Sequence, residues 1–147
     1  MAKQDHHGVS EQSKASLHRR ADAQGLFDGK RWRGCMYVAG YSVECLLKAQ
    51  LMRKFGCDTL RRLEKELADR GMLPGDRSVY THQLVSLLEL TGGADRMRRD
   101  EPTWRSFSLV NKWMPAWRYT ADLADEDYAG EFLAAVDRVL QWVRNNV

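Results

Sequence analysis

The sequence predicts an all-α fold, an up-and-down four-helix bundle with an additional short helix. Three observations predict it. Only three prolines, Pro74, Pro102 and Pro115, interrupt 147 residues, which leaves room for long helices. No segment alternates apolar and polar residues with the period of two that a half-buried strand requires. The segments 31–55 and 125–145 instead repeat their apolar residues at helical spacing.

In chain order, residues 1–9 are polar and mixed and read as a disordered tail before one domain, 10–147. Ser10, Ser13 and Ser16 offer caps for a first helix running to Asp28, with Gly29 closing it. Its apolar points, Ala15, Leu17, Ala21 and Leu26, are sparse, so the helix is expected to be half exposed. The second helix, 31–55, is apolar nearly all round and therefore central. On a helical wheel Tyr37, Tyr41, Glu44 and Lys48 fall on its one narrow polar stripe, which must meet partners or solvent. Gly34 and Gly40 lower its helix propensity, and close approach of a neighbouring helix would explain them.

A short helix at 58–70 follows, with Leu60, Leu63 and Leu67 on one side. Thr81 is placed to cap a helix at 82–90 that turns Leu84, Leu87 and Leu88 inward. Gly92 and Gly93 break it, 96–100 reads as a turn, and Pro102 opens a helix at 103–113. Trp117, Arg118 and Tyr119 fall in a loop. The last helix, 125–145, begins among acidic residues and gathers Tyr128, Phe132, Val136, Val139, Leu140 and Val143 on one face.

Composition limits the function classes. Apolar residues make up 44% and charged residues 29%, ordinary for a soluble globular domain. No run of 18 apolar residues exists, so no membrane span is expected. The N-terminal segment lacks the apolar stretch of a secretory signal. Cys35, Cys45 and Cys57, an odd number, fit free thiols in the cytoplasm, with Cys45 read as a small core residue. The net charge of +3 is too small for an obligate DNA binder. Yet 16 of the 23 cations are arginine, the side chain suited to phosphate. A GC-rich coding sequence gives the same bias, so arginine content alone leaves both explanations open. Arg53-Lys54, Arg61-Arg62 and Arg96 to Arg105 are among the clusters that could line an RNA surface or simply be solvated helix faces. His6 and His7 stand in the tail, no Cys or His pair has zinc spacing, and no phosphate loop occurs. Neither a metal nor a cofactor is expected.

Several phrases carry a family resemblance. They are Ala21-Asp22-Ala23 with Leu26, then Trp32, then Gly40-Tyr41-x-Val43-Glu44-Cys45-x-Leu47-Lys48-Ala49, then Thr81-His82-x-Leu84, and finally Trp117-Arg118-Tyr119. In this order, across 17–143, the chain resembles the HEPN family of small helical domains. The resemblance implies a bundle that forms a homodimer and a place in toxin–antitoxin, defence or RNA-related systems. It also implies, for many members, a nucleotidyltransferase partner protein. Catalytic members are metal-independent ribonucleases that carry Arg, four to six residues and His at a late helix, completing a composite site across the dimer. Here the last histidine is His82, so the late helices cannot supply that motif. The only literal spacing is Arg77 to His82, before the third long helix.

Two readings result. The favoured one is a dimeric module that binds RNA, a nucleotide or a partner protein without catalysis. Its candidate ligand residues are Tyr41, Glu44, Lys48, Arg118 and Tyr119. Glu44 and Lys48 are one helical turn apart in the favourable order, and Arg118 would hold Glu44 between two cations. A purely structural polar network would use the same residues. The alternative reading is an endoribonuclease in which His82 serves as the base for a 2′-hydroxyl and Arg77 as the cation for the phosphate. Against it, a helix-start histidine and a solvated arginine give the same two letters.

Overall fold

A computed structural model of the chain describes residues 8–119 and 124–147, the side chains of residues 118 and 119 excepted. The all-α expectation holds: the described residues form seven α-helices and one short 3-10 helix, with no strand. The helices are α1 (Val9–Asp28), α2 (Trp32–Lys54), α3 (Leu60–Asp69), α4 (Leu84–Thr91), α5 (Ala94–Arg99), α6 (Glu101–Val110) and α7 (Glu126–Asn146). The 3-10 helix is Pro115–Tyr119. Of the nine residues read as a tail, 1–7 lie outside the described residues. Gly8 and Val9 already belong to the domain: Gly8 is buried against Thr59 and Val9 opens α1.

α2 is central, as its all-round apolar character demanded. It buries 14 of its 23 residues and packs against α1, α4, α7 and the 3-10 helix. Leu47 and Leu51 are fully buried among them. α1 folds back on α2 through a tight turn. Arg31 donates its backbone N–H to the Leu26 carbonyl, and Lys30 takes the left-handed conformation, φ 61°. The left-handed residue is therefore Lys30 and not Gly29, whose φ is −84°. Gly56, φ 65°, ends α2 in the expected manner, with Cys57 donating back to the Met52 carbonyl.

The buried face of α1 differs from the expectation. Ser16 and Ala23 are buried, while Leu17 is exposed. Ser16 is buried because its hydroxyl donates to the Ser42 carbonyl of α2 at 2.7 Å, so two small polar residues let the helices close up. None of the three serines caps the helix, which begins at Val9 behind Gly8. Arg20 then grips Asp137 of α7 through Nε and Nη2, at 2.6 and 2.9 Å.

α7 buries Phe132, Val136, Val139, Leu140 and Val143 as expected, with Tyr128 half-buried. Asp125 caps it by accepting from the Tyr128 N–H at 2.8 Å. Residues 94–110 form two helices where a turn and one helix were expected. Asp100 divides them, ending α5 and accepting from the Thr103 N–H to cap α6. α4 begins at Leu84, two residues later than expected, because the Thr81 hydroxyl accepts the Gln83 N–H and closes a turn of its own. Cys45 is partly buried and lies outside the core cluster; Cys35 and Cys57 are the buried thiols. Among the described residues no helix is long and apolar enough to cross a membrane.

Candidate functional site

The polar stripe of α2 meets the loop before α4. Glu44 and Lys48 are buried, 5% and 6% exposed, inside a helix whose other faces pack on apolar neighbours. A buried carboxylate is tolerated only when its oxygens are occupied. Here both are. Lys48 Nζ donates to Oε2 at 3.3 Å, and His82 Nδ1 lies 2.6 Å from Oε1. A carboxylate that faces an ammonium acts as an acceptor, so the hydrogen in the second contact sits on Nδ1. That fixes the ring orientation and leaves Nε2 without a hydrogen-bond partner among the described residues. The His82 side chain is 53% exposed, so the ring bridges the buried pair and the solvent.

The loop that carries His82 is anchored at several points. Val79 is fully buried, and its N–H donates to Glu64 of α3 at 2.8 Å. The Ser78 hydroxyl accepts from the Tyr80 N–H, and Leu84 enters the core at the start of α4. Position 82 is thus held between two core residues, Val79 and Leu84.

Aromatic rings surround the imidazole. Tyr41 meets it edge-on at 6.0 Å between centroids, and Trp113 lies 6.3 Å away. Tyr41 and Trp113 contact each other at 4.8 Å, and Tyr37 packs edge-on against Tyr41 at 5.1 Å. Trp113 Nε1 donates to the Tyr37 carbonyl at 2.8 Å, which pins the indole across α2. The pin needs Gly40. A Cβ built there would lie 2.1 Å from the indole, well inside contact distance. Close approach explains Gly40 as expected, although the approaching group is a side chain rather than a helix. Gly34 is different: its nearest neighbour, Leu26, would stand at an ordinary 3.8 Å.

Tyr41, Glu44 and Lys48 therefore come together as the sequence suggested, and His82 joins them. The structure gives Arg77 a different partner from His82. Arg77 pairs with Glu89 of α4 at 3.0 Å and lines a polar cavity of about 270 Å³ with Ser78, Thr81, Gln83 and Ser86, where His82 is absent. The side chains of Arg118 and Tyr119 lie outside the described residues; their backbone belongs to the 3-10 helix against α2.

Sequence reasoning put Tyr37 on the same stripe without counting it among the candidate residues, and it missed Trp113 and the link from His82 to Glu44. A glycine in the middle of an apolar helix was the one signal for Trp113.

Among the described residues no three His, Cys, Asp or Glu side chains converge as a metal cage would require. Chemically, the arrangement presents an oriented imidazole that can take part in a hydrogen bond at Nε2, beside the partly exposed Tyr41 ring, while Trp113 is buried and backs both rings from the core side. The chain matches no protein-family model, no curated protein and no solved structure.

Proposed function

We propose that this chain is a HEPN-like bundle that pairs with a second copy and binds RNA or a nucleotide at the Glu44–His82 site, without catalysis of its own. One observation carries the reading: a half-exposed imidazole is held by a buried Glu44–Lys48 pair and flanked by Tyr41 and Trp113. A partly exposed tyrosine ring and an imidazole are what a nucleobase and its phosphate would use; Trp113, which is buried, holds Tyr41 in place. The family resemblance at Gly40 to Ala49 supports the up-and-down bundle, the homodimer, and a toxin–antitoxin or defence setting in the cytoplasm. A nucleotidyltransferase partner follows from the same resemblance.

Titration with a short oligoribonucleotide tests the reading. Wild type binds, and Tyr41→Ala and His82→Ala each weaken binding while the helical content is unchanged. Equal affinity of all three proteins contradicts it.

A second reading, a metal-independent endoribonuclease, draws support from the Glu44 contact to Nδ1, because a carboxylate-oriented imidazole is a competent base at Nε2. In that reading Arg77 must leave Glu89 to reach a phosphate. An RNA-cleavage assay in EDTA with wild type and His82→Ala separates the two. Cleavage lost in His82→Ala supports the ribonuclease. Equal cleavage by both removes His82 from the chemistry. No cleavage by either folded protein supports the binding module.

A further inference from the structure

Where α2 ends, the turn between α4 and α5 and the last turn of α7 meet around an open cavity of about 700 Å³. That volume is in the range of small-molecule sites, roughly 300–1,000 Å³. Four cations line it: Arg53, Lys54, Arg96 and Arg99. The one acidic side chain in the lining, Asp95, is already paired with Arg98 at 2.7 Å.

The four cations of this cavity form no ion pair among the described residues, a property they share with Arg61, Arg138 and Arg144, which do not line the cavity. Arg19, Arg20, Arg62, Lys65, Arg70, Arg77 and Arg105 each face a carboxylate. Around the cavity the partners are neutral. Lys54 donates to the Thr91 carbonyl, Arg53 to the side-chain oxygens of Gln50 and Ser13, and Arg96 to the Asn146 carbonyl. Arg99 makes no ion pair or hydrogen bond among the described residues. These contacts position three of the four charges without neutralising them. A concave surface lined by four cations and one already paired carboxylate has a net positive field, which its concavity focuses on a counter-ion.

We infer that this cavity binds a polyphosphate group. Three guanidinium forks match phosphate oxygens bidentately, and the lysine adds a point charge. A triphosphate carries enough negative charge to balance four cations, which a single carboxylate does not. The site stands apart from Glu44 and His82: Lys54 lies six residues beyond Lys48, about 9 Å along α2. The inference does not rest on the function proposed for that pair. A free nucleoside triphosphate and the 5′-triphosphate end of an RNA offer the same group.

Calorimetric titration at fixed ionic strength tests it, with inorganic tripolyphosphate, ATP, a 5′-triphosphate oligoribonucleotide and its 5′-hydroxyl counterpart. Tripolyphosphate is expected to bind one per chain. Arg99→Glu, which breaks no contact within the described residues, weakens it about tenfold, and Arg96→Glu with Arg99→Glu about a hundredfold. Arg61→Glu makes the same charge change on α3 and alters affinity by less than about twofold. Tighter binding of ATP identifies a free nucleotide as the source, and tighter binding of the 5′-triphosphate oligonucleotide identifies an RNA end; both support the inference. It is overturned if tripolyphosphate does not bind, or if Arg61→Glu weakens it as much as Arg99→Glu. It is also overturned if the 5′-hydroxyl oligonucleotide binds equally well and displaces tripolyphosphate, which assigns the cavity to phosphodiester backbone.

Discussion

Glu44 Oε1 lies 2.6 Å from Nδ1 of His82, joining a buried helix position to a half-exposed loop position 38 residues later in the chain. The contact ties the two readings of the sequence together. The histidine of the Arg77–His82 pair belongs with the Tyr41–Glu44–Lys48 stripe, and Arg77 does not.

Removing the Glu44 charge leaves Lys48 buried without its counter-ion. Glu44→Gln is expected to destabilise the fold by about 3–5 kcal/mol in urea unfolding. Combining it with Lys48→Met should recover part of that loss, because the two residues are coupled. A double variant whose loss equals the sum of the single losses would show that they act independently.

The two glycines of α2 should respond in opposite ways to alanine. Gly40→Ala forces a Cβ into the Trp113 indole, and overpacking of this kind costs about 1–3 kcal/mol. Gly34→Ala meets only ordinary contact with Leu26 and gains helix propensity, about 0.5–1 kcal/mol of stabilisation. Thermal unfolding of the two variants checks the contrast, and equal shifts in one direction would refute it.

That contrast also marks what was legible in the sequence. The faces of α3, α4 and α7 were readable because their leucines, valines and Phe132 recur at helical spacing and the opposite faces are polar. The α1 face was not readable. Its contact with α2 is made through Ser16 and Ala23, which carry little hydrophobic signal, while Leu17 faces solvent. The stripe of Tyr41, Glu44 and Lys48 was visible as polarity on an otherwise apolar helix. Its partner was not, because loop geometry decides where His82 points. Neighbouring positions in a loop need not share a site, so the spacing of Arg77 and His82 linked two side chains that the fold gives to different partners.

Lys30 is a non-glycine residue at φ 61°, in the left-handed region that L side chains enter at a cost of about 1–2 kcal/mol. Lys30→Gly should relieve part of this, against the entropy that glycine adds to the unfolded chain. A net gain of about 0.5–1 kcal/mol in chemical denaturation is expected. A loss of stability would mean that the lysine side chain holds the α1–α2 turn.

Burial pushes the thiols of Cys35 and Cys45 up to about 11, with the Glu44 carboxylate adding to the effect at Cys45. A thiol raised in the folded state keeps its proton there while the unfolded chain releases its own. The contribution to stability is therefore complete below the ordinary thiol pKa of about 8.5 and is lost as pH rises from there through about 11. Denaturation midpoints of wild type should fall across that window more steeply than those of a Cys35→Ala, Cys45→Ala variant. Parallel curves would contradict the assignment.

The orientation of His82 by Glu44 can be read from its ring nitrogens. A long-range proton–nitrogen NMR spectrum of the folded protein, recorded where the imidazole is neutral, should show the hydrogen on Nδ1 of His82 and a free Nε2. Glu44→Gln, if folded, should lose that preference. A wild-type ring carrying its hydrogen on Nε2 would contradict the account, because Nδ1 would then have no hydrogen to give Glu44.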